Sequence, residues 1–187
     1  MTKDNIPNIL TCFRIFLVPI FIFYLLIEQN YLIAFIIFII AALTDWGDGY
    51  FARKFNSVTS FGIFFDPLAD KLLVLSAFCS FLYIDSLNGS VHLWMIAIIL
   101  FRDISITLLR IIISLKKDCV LVTSKIAKLK TFLQLATIIF TLICLMSSDY
   151  FGSIYYIMII TTLITLYTGV HYYYNNSKKL IQILLNK

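Results

Sequence analysis

Four aspartates and one arginine stand at fixed spacings in a sequence that is otherwise strongly apolar. Asp45 and Asp48 are three residues apart, and Asp66 and Asp70 are four residues apart. Either spacing places two side chains on one face of a helix, so two facing helices would gather four carboxylates into one site. Carboxylate oxygens are the ligands that hard divalent cations take. The pattern therefore predicts a metal site with room for two divalent ions, as in phosphoryl-transfer enzymes.

The residues between the two aspartate pairs predict a phosphate-binding surface beside the metals. Gly49 and Gly62 lack side chains where a ligand would approach the backbone. Arg53 offers a planar guanidinium that suits a phosphate group. Metals together with an arginine describe a site for a pyrophosphate. In the competing interpretation, the carboxylates form ion pairs that only hold helices together. Four acids with one nearby arginine cannot pair off, so we favour the metal site.

Composition places these residues in an integral membrane protein. Of the 187 residues, 61% are hydrophobic and only 13% are charged, which is more apolar surface than a soluble domain of this size could bury. The apolar runs are long and unbroken, unlike the alternating strands of a membrane β-barrel. No linker, low-complexity segment or repeat divides the chain. We therefore predict an all-α membrane protein in which residues 1–187 form a single domain.

Six apolar segments predict six transmembrane helices. The segments cover Leu10–Ile27, Tyr31–Leu43, Leu72–Ile84, Val91–Ile113, Phe132–Met146 and Tyr150–Tyr174. A helix needs about 20 residues to cross the hydrocarbon core. The second, third and fifth segments therefore span the membrane only when their charged neighbours are included. The two aspartate pairs then belong to the second and third helices, and Lys125–Lys130 begins the fifth.

The connections between the segments indicate the orientation. One set carries Glu28, Asp85 and Asp149 and no Lys or Arg. The other set is basic and contains Arg53, Lys54, Lys116, Lys117, Lys125, Lys128, Lys178 and Lys179. This asymmetry predicts cytoplasmic termini in a multi-pass protein of the cytoplasmic membrane, with the aspartates lining a polar cavity in its cytoplasmic half. We assign the net charge of +5 to orientation and to anionic substrates, not to nucleic acid.

The complete motif resembles the signature of the CDP-alcohol phosphotransferase family at every defining position. It reads Asp45-x2-Asp48-Gly49-x2-Ala52-Arg53-x8-Gly62-x3-Asp66-x3-Asp70. The resemblance implies a six-helix membrane fold, usually a homodimer, that transfers a phosphatidyl or similar group from a CDP-linked donor to an alcohol. The expected cofactor is a pair of Mg²⁺ or Mn²⁺ ions.

The same resemblance assigns a role to each residue of the motif. Metal ligation is implied for Asp45, Asp48 and Asp66. Asp70 is implied as the general base and as a further metal ligand. Binding of the CMP and pyrophosphate groups is implied for Gly49, Arg53 and Gly62.

Three further segments resemble bacterial phosphatidylglycerophosphate synthases. They are Asn5–Arg14, Phe101–Arg110 and Lys125–Gln134. The resemblance implies CDP-diacylglycerol as donor and glycerol 3-phosphate as acceptor, with phosphatidylglycerophosphate and CMP as products. This acceptor is a dianion that needs its own cationic pocket. We assign that pocket to Arg110, Lys128 and Lys130.

Two departures from this resemblance fall in the segments that concern the acceptor. Asp103 stands where Glu is expected, and Ala127 stands where Gly is expected. In the first segment, Asn8, Thr11 and Arg14 share one side of a helix start. They could contact the donor or face lipid headgroups, and the sequence leaves both roles open.

Other acceptors and one other class of protein fit parts of the pattern. Serine, an inositol phosphate or phosphatidylglycerol could replace glycerol 3-phosphate in the same reaction. A small ion transporter would need acids along a path through the membrane, whereas here the acids cluster on one side. No cysteine, serine or histidine near the motif looks like an activated nucleophile. We therefore predict direct displacement, with Asp70 taking the proton of the attacking hydroxyl.

Overall fold

The described part of this computed structural model is a bundle of α-helices. The backbone is described for residues 6–55, 60–115, 125–147, 149 and 151–185, and side chains within 11–44, 71–109, 129–147, 149 and 151–176. In these ranges the helices are α1 (Ile6–Ile22), α2 (Tyr31–Phe55), α3 (Ser60–Phe81), α4 (Leu93–Leu115), α5 (Lys125–Ser147) and α6 (Phe151–Leu185). The six helices predicted from the apolar segments are confirmed.

The turn between α1 and α2 shows how the sequence ends one helix and starts the next. A π-helical turn, Phe23–Ile27, follows α1 directly, and Gln29 then adopts a left-handed backbone with φ of 51°. The Asn30 side chain accepts a hydrogen bond of 3.1 Å from the Ile33 N–H. Asn commonly satisfies the free N–H groups at a helix start in this way, so Asn30 fixes where α2 begins.

The apolar core lies at the end of the bundle that carries the α1–α2, α3–α4 and α5–α6 connections. The late part of α1 packs on the early part of α2, where the Phe21 and Phe38 ring centroids are 5.8 Å apart. Met95 near the start of α4 and Leu142 near the end of α5 are buried in the same cluster. The apolar core thus occupies the connected ends of the helices. Most buried polar side chains, among them Asp103, Lys130 and Gln134, lie nearer the opposite end.

Helix packing brings the motif-bearing helices to the centre of the bundle. α1 packs against α2 and α3, α2 also contacts α3 and α5, and α3 contacts α4 and α5. α6 packs against both α4 and α5. As a result, α2 and α3, which carry the aspartates, lie between α1 on one side and the α4–α6 group on the other.

The outward faces of the helices are apolar, as a membrane protein requires. Phe16, Phe101, Phe132 and Tyr156 are each at least 65% exposed. Among the described residues, Leu129–Ser147 and Phe151–Asn176 are long and apolar enough to cross a membrane. Exposed apolar side chains on this many helices need a partner other than water. The helices and their surface are those of a membrane protein.

One helix extends further than the sequence pattern predicts. The sixth apolar segment ends near Tyr174, but α6 continues to Leu185. The added residues include two asparagines and two lysines, yet none is Gly or Pro. A helix can continue through polar residues as long as none of them breaks its backbone hydrogen bonds. Hydropathy therefore marks where the apolar stretch ends, and not where the helix ends.

Candidate active site

The structure places all four aspartates of the motif in helices that contact each other. Asp45 and Asp48 lie in the second half of α2, and Asp66 and Asp70 lie in the first half of α3. The predicted helical spacing of each pair is therefore confirmed at the level of the backbone, and α2 contacts α3. The side chains of these aspartates lie outside the described residues.

The other motif and acceptor residues are also placed on helices. Gly49 and Arg53 lie in α2, and Gly62 lies in α3. Arg110 lies in the last turns of α4, and Lys128 lies in the first turn of α5. The side chains of Arg53, Arg110 and Lys128 are likewise outside the described residues, as are those of Asn8 and Ala127.

The donor set of the motif suits a hard divalent cation. Four carboxylates on two contacting helices provide only oxygen ligands, which Mg²⁺ and Mn²⁺ prefer. Among the described side chains, no group of three His, Cys, Asp or Glu residues could hold a metal ion. The motif thus fits such a cation by its chemistry, and the described part of the chain offers no competing site.

Lys130 is the predicted acceptor residue whose side chain the structure describes. It is 1% exposed, and its ammonium group donates to both carboxylate oxygens of Asp103, which is also 1% exposed. Asp103 lies in α4 and Lys130 in α5. The two residues therefore form a buried ion pair between helices.

Two more side chains complete the surroundings of this carboxylate. Arg102 Nη1 donates to Asp103 Oδ1 over 3.0 Å, and Gln134 Nε2 donates to Oδ2 over 3.2 Å. Lys71, next to Asp70 in sequence, also lies within electrostatic range of Asp103. We call Arg102, Asp103, Lys130 and Gln134 the Asp103 cluster. It links α4 to α5 close to the helix that carries the second aspartate pair.

The Asp103 cluster carries more positive than negative charge. One carboxylate faces the two cations Arg102 and Lys130. Charges within a membrane protein persist only where they pair with one another or face a polar cavity. The cluster therefore provides positive potential inside the bundle, which suits a site for anionic substrates.

Arg102 reaches Asp103 along the surface of α6. Its side chain is 11% exposed, and it lines an apolar cavity of about 410 Å³ between α4 and α6 together with Phe101, Gly169 and Tyr173. A Cβ atom built at Gly169 would lie 2.9 Å from Arg102 Cγ. The absence of a side chain at Gly169 thus leaves the space that the aliphatic part of the Arg102 side chain occupies.

Residues near the start of α1 are buried against the rest of the bundle. Thr11 is 1% exposed and Arg14 is 2% exposed. These two side chains therefore do not face lipid headgroups, which was one of the two roles left open by the sequence. Their burial on the helix that packs against α2 and α3 favours a role inside the protein.

A buried row of threonines joins α5 to α6 and was missed by the sequence analysis. Thr137 donates to the Leu133 carbonyl over 2.8 Å, so its oxygen accepts from the Thr161 hydroxyl, 2.6 Å away. Thr161, Thr165 and Thr168 are all buried. Their spacing of four and three residues is helical, and that periodicity was the signal that could have revealed a polar face on α6.

Comparison with known proteins identifies the family. Residues 4–168 match the sequence model of the family described as CDP-alcohol phosphatidyltransferase. The chain is 38% identical over 177 residues to a protein of Rickettsia typhi (strain ATCC VR-144 / Wilmington), covering 90% of this chain and 95% of that relative. It is also 38% identical over 148 residues to a protein of Bacillus subtilis (strain 168), covering 72% and 74%.

A third relative comes from Escherichia coli (strain K12), with 38% identity over 141 residues, or 72% of this chain and 74% of the relative. All three relatives are named CDP-diacylglycerol–glycerol-3-phosphate 3-phosphatidyltransferase. Fold and comparisons together define a transferase enzyme of the membrane. The chain belongs to the CDP-alcohol phosphatidyltransferase family, whose members generally depend on a divalent metal.

Proposed function

We propose that this protein transfers the phosphatidyl group of CDP-diacylglycerol to glycerol 3-phosphate, giving phosphatidylglycerophosphate and CMP. The observation that carries the proposal is the similarity to relatives named for this reaction, which extends over 90% of the chain in the Rickettsia typhi comparison. The Asp103 cluster supports the choice of an anionic acceptor, because it leaves an excess of positive charge inside the bundle. The reaction belongs to phospholipid biosynthesis.

The motif aspartates would hold the metal and the reacting groups. Asp45, Asp48, Asp66 and Asp70 would hold two divalent ions, Mg²⁺ or Mn²⁺, by their position on two contacting helices. When bound, such ions neutralise the pyrophosphate of the donor and stabilise CMP as the leaving group. Support for this assignment comes from the helical spacing of each aspartate pair.

The chemical step is a direct displacement at phosphorus. The 1-hydroxyl oxygen of glycerol 3-phosphate attacks the phosphorus that bears diacylglycerol, forming a new P–O bond. The bond from that phosphorus to the bridging oxygen breaks, and its electron pair leaves with CMP. Asp70 accepts the hydroxyl proton, while Arg53, with the side-chain-free positions Gly49 and Gly62, holds the CMP and pyrophosphate part of the donor.

The acceptor phosphate would be bound where α4 and α5 present basic residues. We assign it to Arg110, Lys128 and Lys130. A lysine ammonium has three donors, and Lys130 directs two of them to the oxygens of Asp103. Within the side chains that the structure describes, the third donor is left for a phosphate oxygen, so Lys130 would form the buried end of the pocket, with Arg110 and Lys128 nearer its mouth.

The membrane topology that suits this chemistry has six spans. Both termini would lie in the cytoplasm, and the aspartates would line a polar cavity that opens to the cytoplasm and to the inner leaflet of the cytoplasmic membrane. The apolar core at the opposite end of the bundle supports this arrangement, because it would make the outer half dry. We further infer that the protein is a homodimer in the bilayer.

The test of the proposed function is CMP release by the purified full chain in lipid nanodiscs. The assay contains CDP-diacylglycerol, Mg²⁺ or Mn²⁺, and one acceptor at a time. Release with glycerol 3-phosphate and formation of phosphatidylglycerophosphate is the expected result. Release only with serine, an inositol phosphate or phosphatidylglycerol would keep the reaction class and overturn the acceptor assignment. No release with any acceptor, from folded protein with metal, would overturn the donor assignment.

A further inference from the structure

Two of the proposed acceptor residues lie on helices that hardly touch. Within the described residues, α4 and α5 each pack against α3 and α6 but make few backbone contacts with each other. Arg110 belongs to α4 and Lys128 to α5. Any direct link between α4 and α5, besides their shared packing on α3 and α6, must therefore come from side chains.

The hydrogen bonds of Asp103 provide such a link. From α4, the carboxylate receives donors from Lys130 and Gln134, which lie one helical turn apart on α5. Arg110 lies seven residues beyond Asp103, which is two turns or about 10 Å along the same side of α4. Lys128 lies two residues before Lys130. The link thus lies about two turns from Arg110 on the same side of α4, and within one turn of Lys128 along α5, although positions 128 and 130 point to different sides of that helix.

We propose that Asp103 is a positioning residue for the acceptor site, acting through Lys130. Its carboxylate fixes the Lys130 ammonium and so holds the basic start of α5 in register with Arg110 on α4. This inference rests on the proposed function, because it concerns the pocket assigned to glycerol 3-phosphate. Asp103 itself does not touch the substrates.

The charge balance separates this role from that of a simple structural ion pair. The carboxylate is shared between Lys130 and Arg102, so neither cation is fully neutralised by it. A lysine that is already oriented and only partly neutralised is suited to binding an anion. Its ammonium group does not have to move when the anion binds. Loss of the carboxylate should therefore weaken acceptor binding more than it slows the chemical step.

The experiment measures KM and kcat for both substrates in Asp103→Asn, Asp103→Glu and Lys130→Gln. We expect Asp103→Asn to raise the KM for glycerol 3-phosphate about 10-fold or more, with the KM for CDP-diacylglycerol changed less than about 2-fold. Asp103→Glu keeps the charge and should restore the acceptor KM to within about 3-fold of the wild type. Thr137→Val is the matched control, because it removes another buried contact of α5 and should leave the acceptor KM unchanged.

The double variant Asp103→Asn with Lys130→Gln tests whether Asp103 acts through Lys130. If it does, the double variant has an acceptor KM close to that of the worse single variant. Additive effects would overturn the inference, as would an unchanged acceptor KM in Asp103→Asn, or an equal rise in both substrate KM values. If the wild-type protein is inactive with glycerol 3-phosphate, both the proposed function and the inference are overturned. If the wild-type protein is active and one of these three results is found, only the inference is overturned.

Discussion

Gly169 of α6 lies directly against Arg102 of α4, so close that a Cβ atom at position 169 would be 2.9 Å from Arg102 Cγ. Cγ is near the backbone end of the arginine side chain, and it cannot move without shifting the rest of that chain. Arg102 in turn donates to Asp103. The glycine therefore sets the path by which a cation on α4 reaches the buried carboxylate.

Gly169→Ala should destabilise the protein because the added methyl group displaces Arg102. We expect a loss of about 1–3 kcal/mol, which is typical of overpacking. Gly152→Ala is the matched control on the same helix, since a Cβ there meets nothing within 4 Å. Thermal unfolding in nanodiscs measures both variants. Equal midpoints for the two variants would show that Arg102 does not depend on the space at Gly169.

The hydrogen bond between Thr137 and Thr161 should contribute to the packing of α5 on α6. Thr137→Val and Thr161→Val should each destabilise the protein by about 1 kcal/mol, and the double variant should lose less than the sum. The measurement is a double-mutant cycle by thermal or denaturant unfolding. Thr162→Val is the control, because among the described residues the Thr162 hydroxyl bonds within its own helix, to the Met158 carbonyl, and not to α5. Strictly additive effects would contradict a direct bond.

Removal of divalent metal should abolish CMP release, because the motif carboxylates would be left without the charge that balances them and the donor pyrophosphate. EDTA treatment followed by Mg²⁺ or Mn²⁺ addition is the measurement, with restored activity as the expected outcome. Addition of Ca²⁺ or of monovalent salt at equal ionic strength is the control for general electrostatics. Full activity in EDTA would exclude the metal assignment.

Asp70→Asn should lower kcat by about 10²–10⁴-fold, the range expected for loss of a general base. Asp85→Asn is the control, because Asp85 is an exposed acid in the short helical turn Asp85–Leu87 at the other end of the bundle. Steady-state CMP release measures both. If Asp70→Asn retained wild-type kcat, another group would have to accept the proton.

Arg110→Gln should raise the KM for glycerol 3-phosphate about 10-fold with little change in the KM for CDP-diacylglycerol, since one charge-assisted contact to the acceptor phosphate is lost. Lys178→Gln is the control, because Lys178 belongs to the basic residues that we assign to membrane orientation. Initial rates over a range of acceptor concentrations provide the measurement. A similar rise in both variants would indicate a general surface-charge effect.

The sequence was sufficient to predict the helices and the aspartate motif because both depend on local patterns. Long apolar stretches marked all six helices, and spacings of three and four residues placed each aspartate pair on one helix. The contact of Asp103 with Lys130 joins residues 27 positions apart, and no local period encodes such a contact. Asp103 was therefore noticed only as a departure from an expected Glu. The end of α6 was missed because the polar residues 175–179 interrupt the apolar stretch, although the helix continues through them into the mostly apolar residues 180–185.

The Asp103–Lys130 pair also bears on how the protein enters the bilayer during synthesis. A lysine or aspartate alone at the centre of a membrane helix costs about 2.5–3.5 kcal/mol on insertion scales. Arg102 and Asp103 are neighbours on α4 and pair within that helix, whereas Lys130 of α5 meets Asp103 only after both helices are made. Because α4 is made before α5, the Asp103 carboxylate is in place when Lys130 emerges, and we expect this pairing to lower the cost of placing Lys130 in the bilayer.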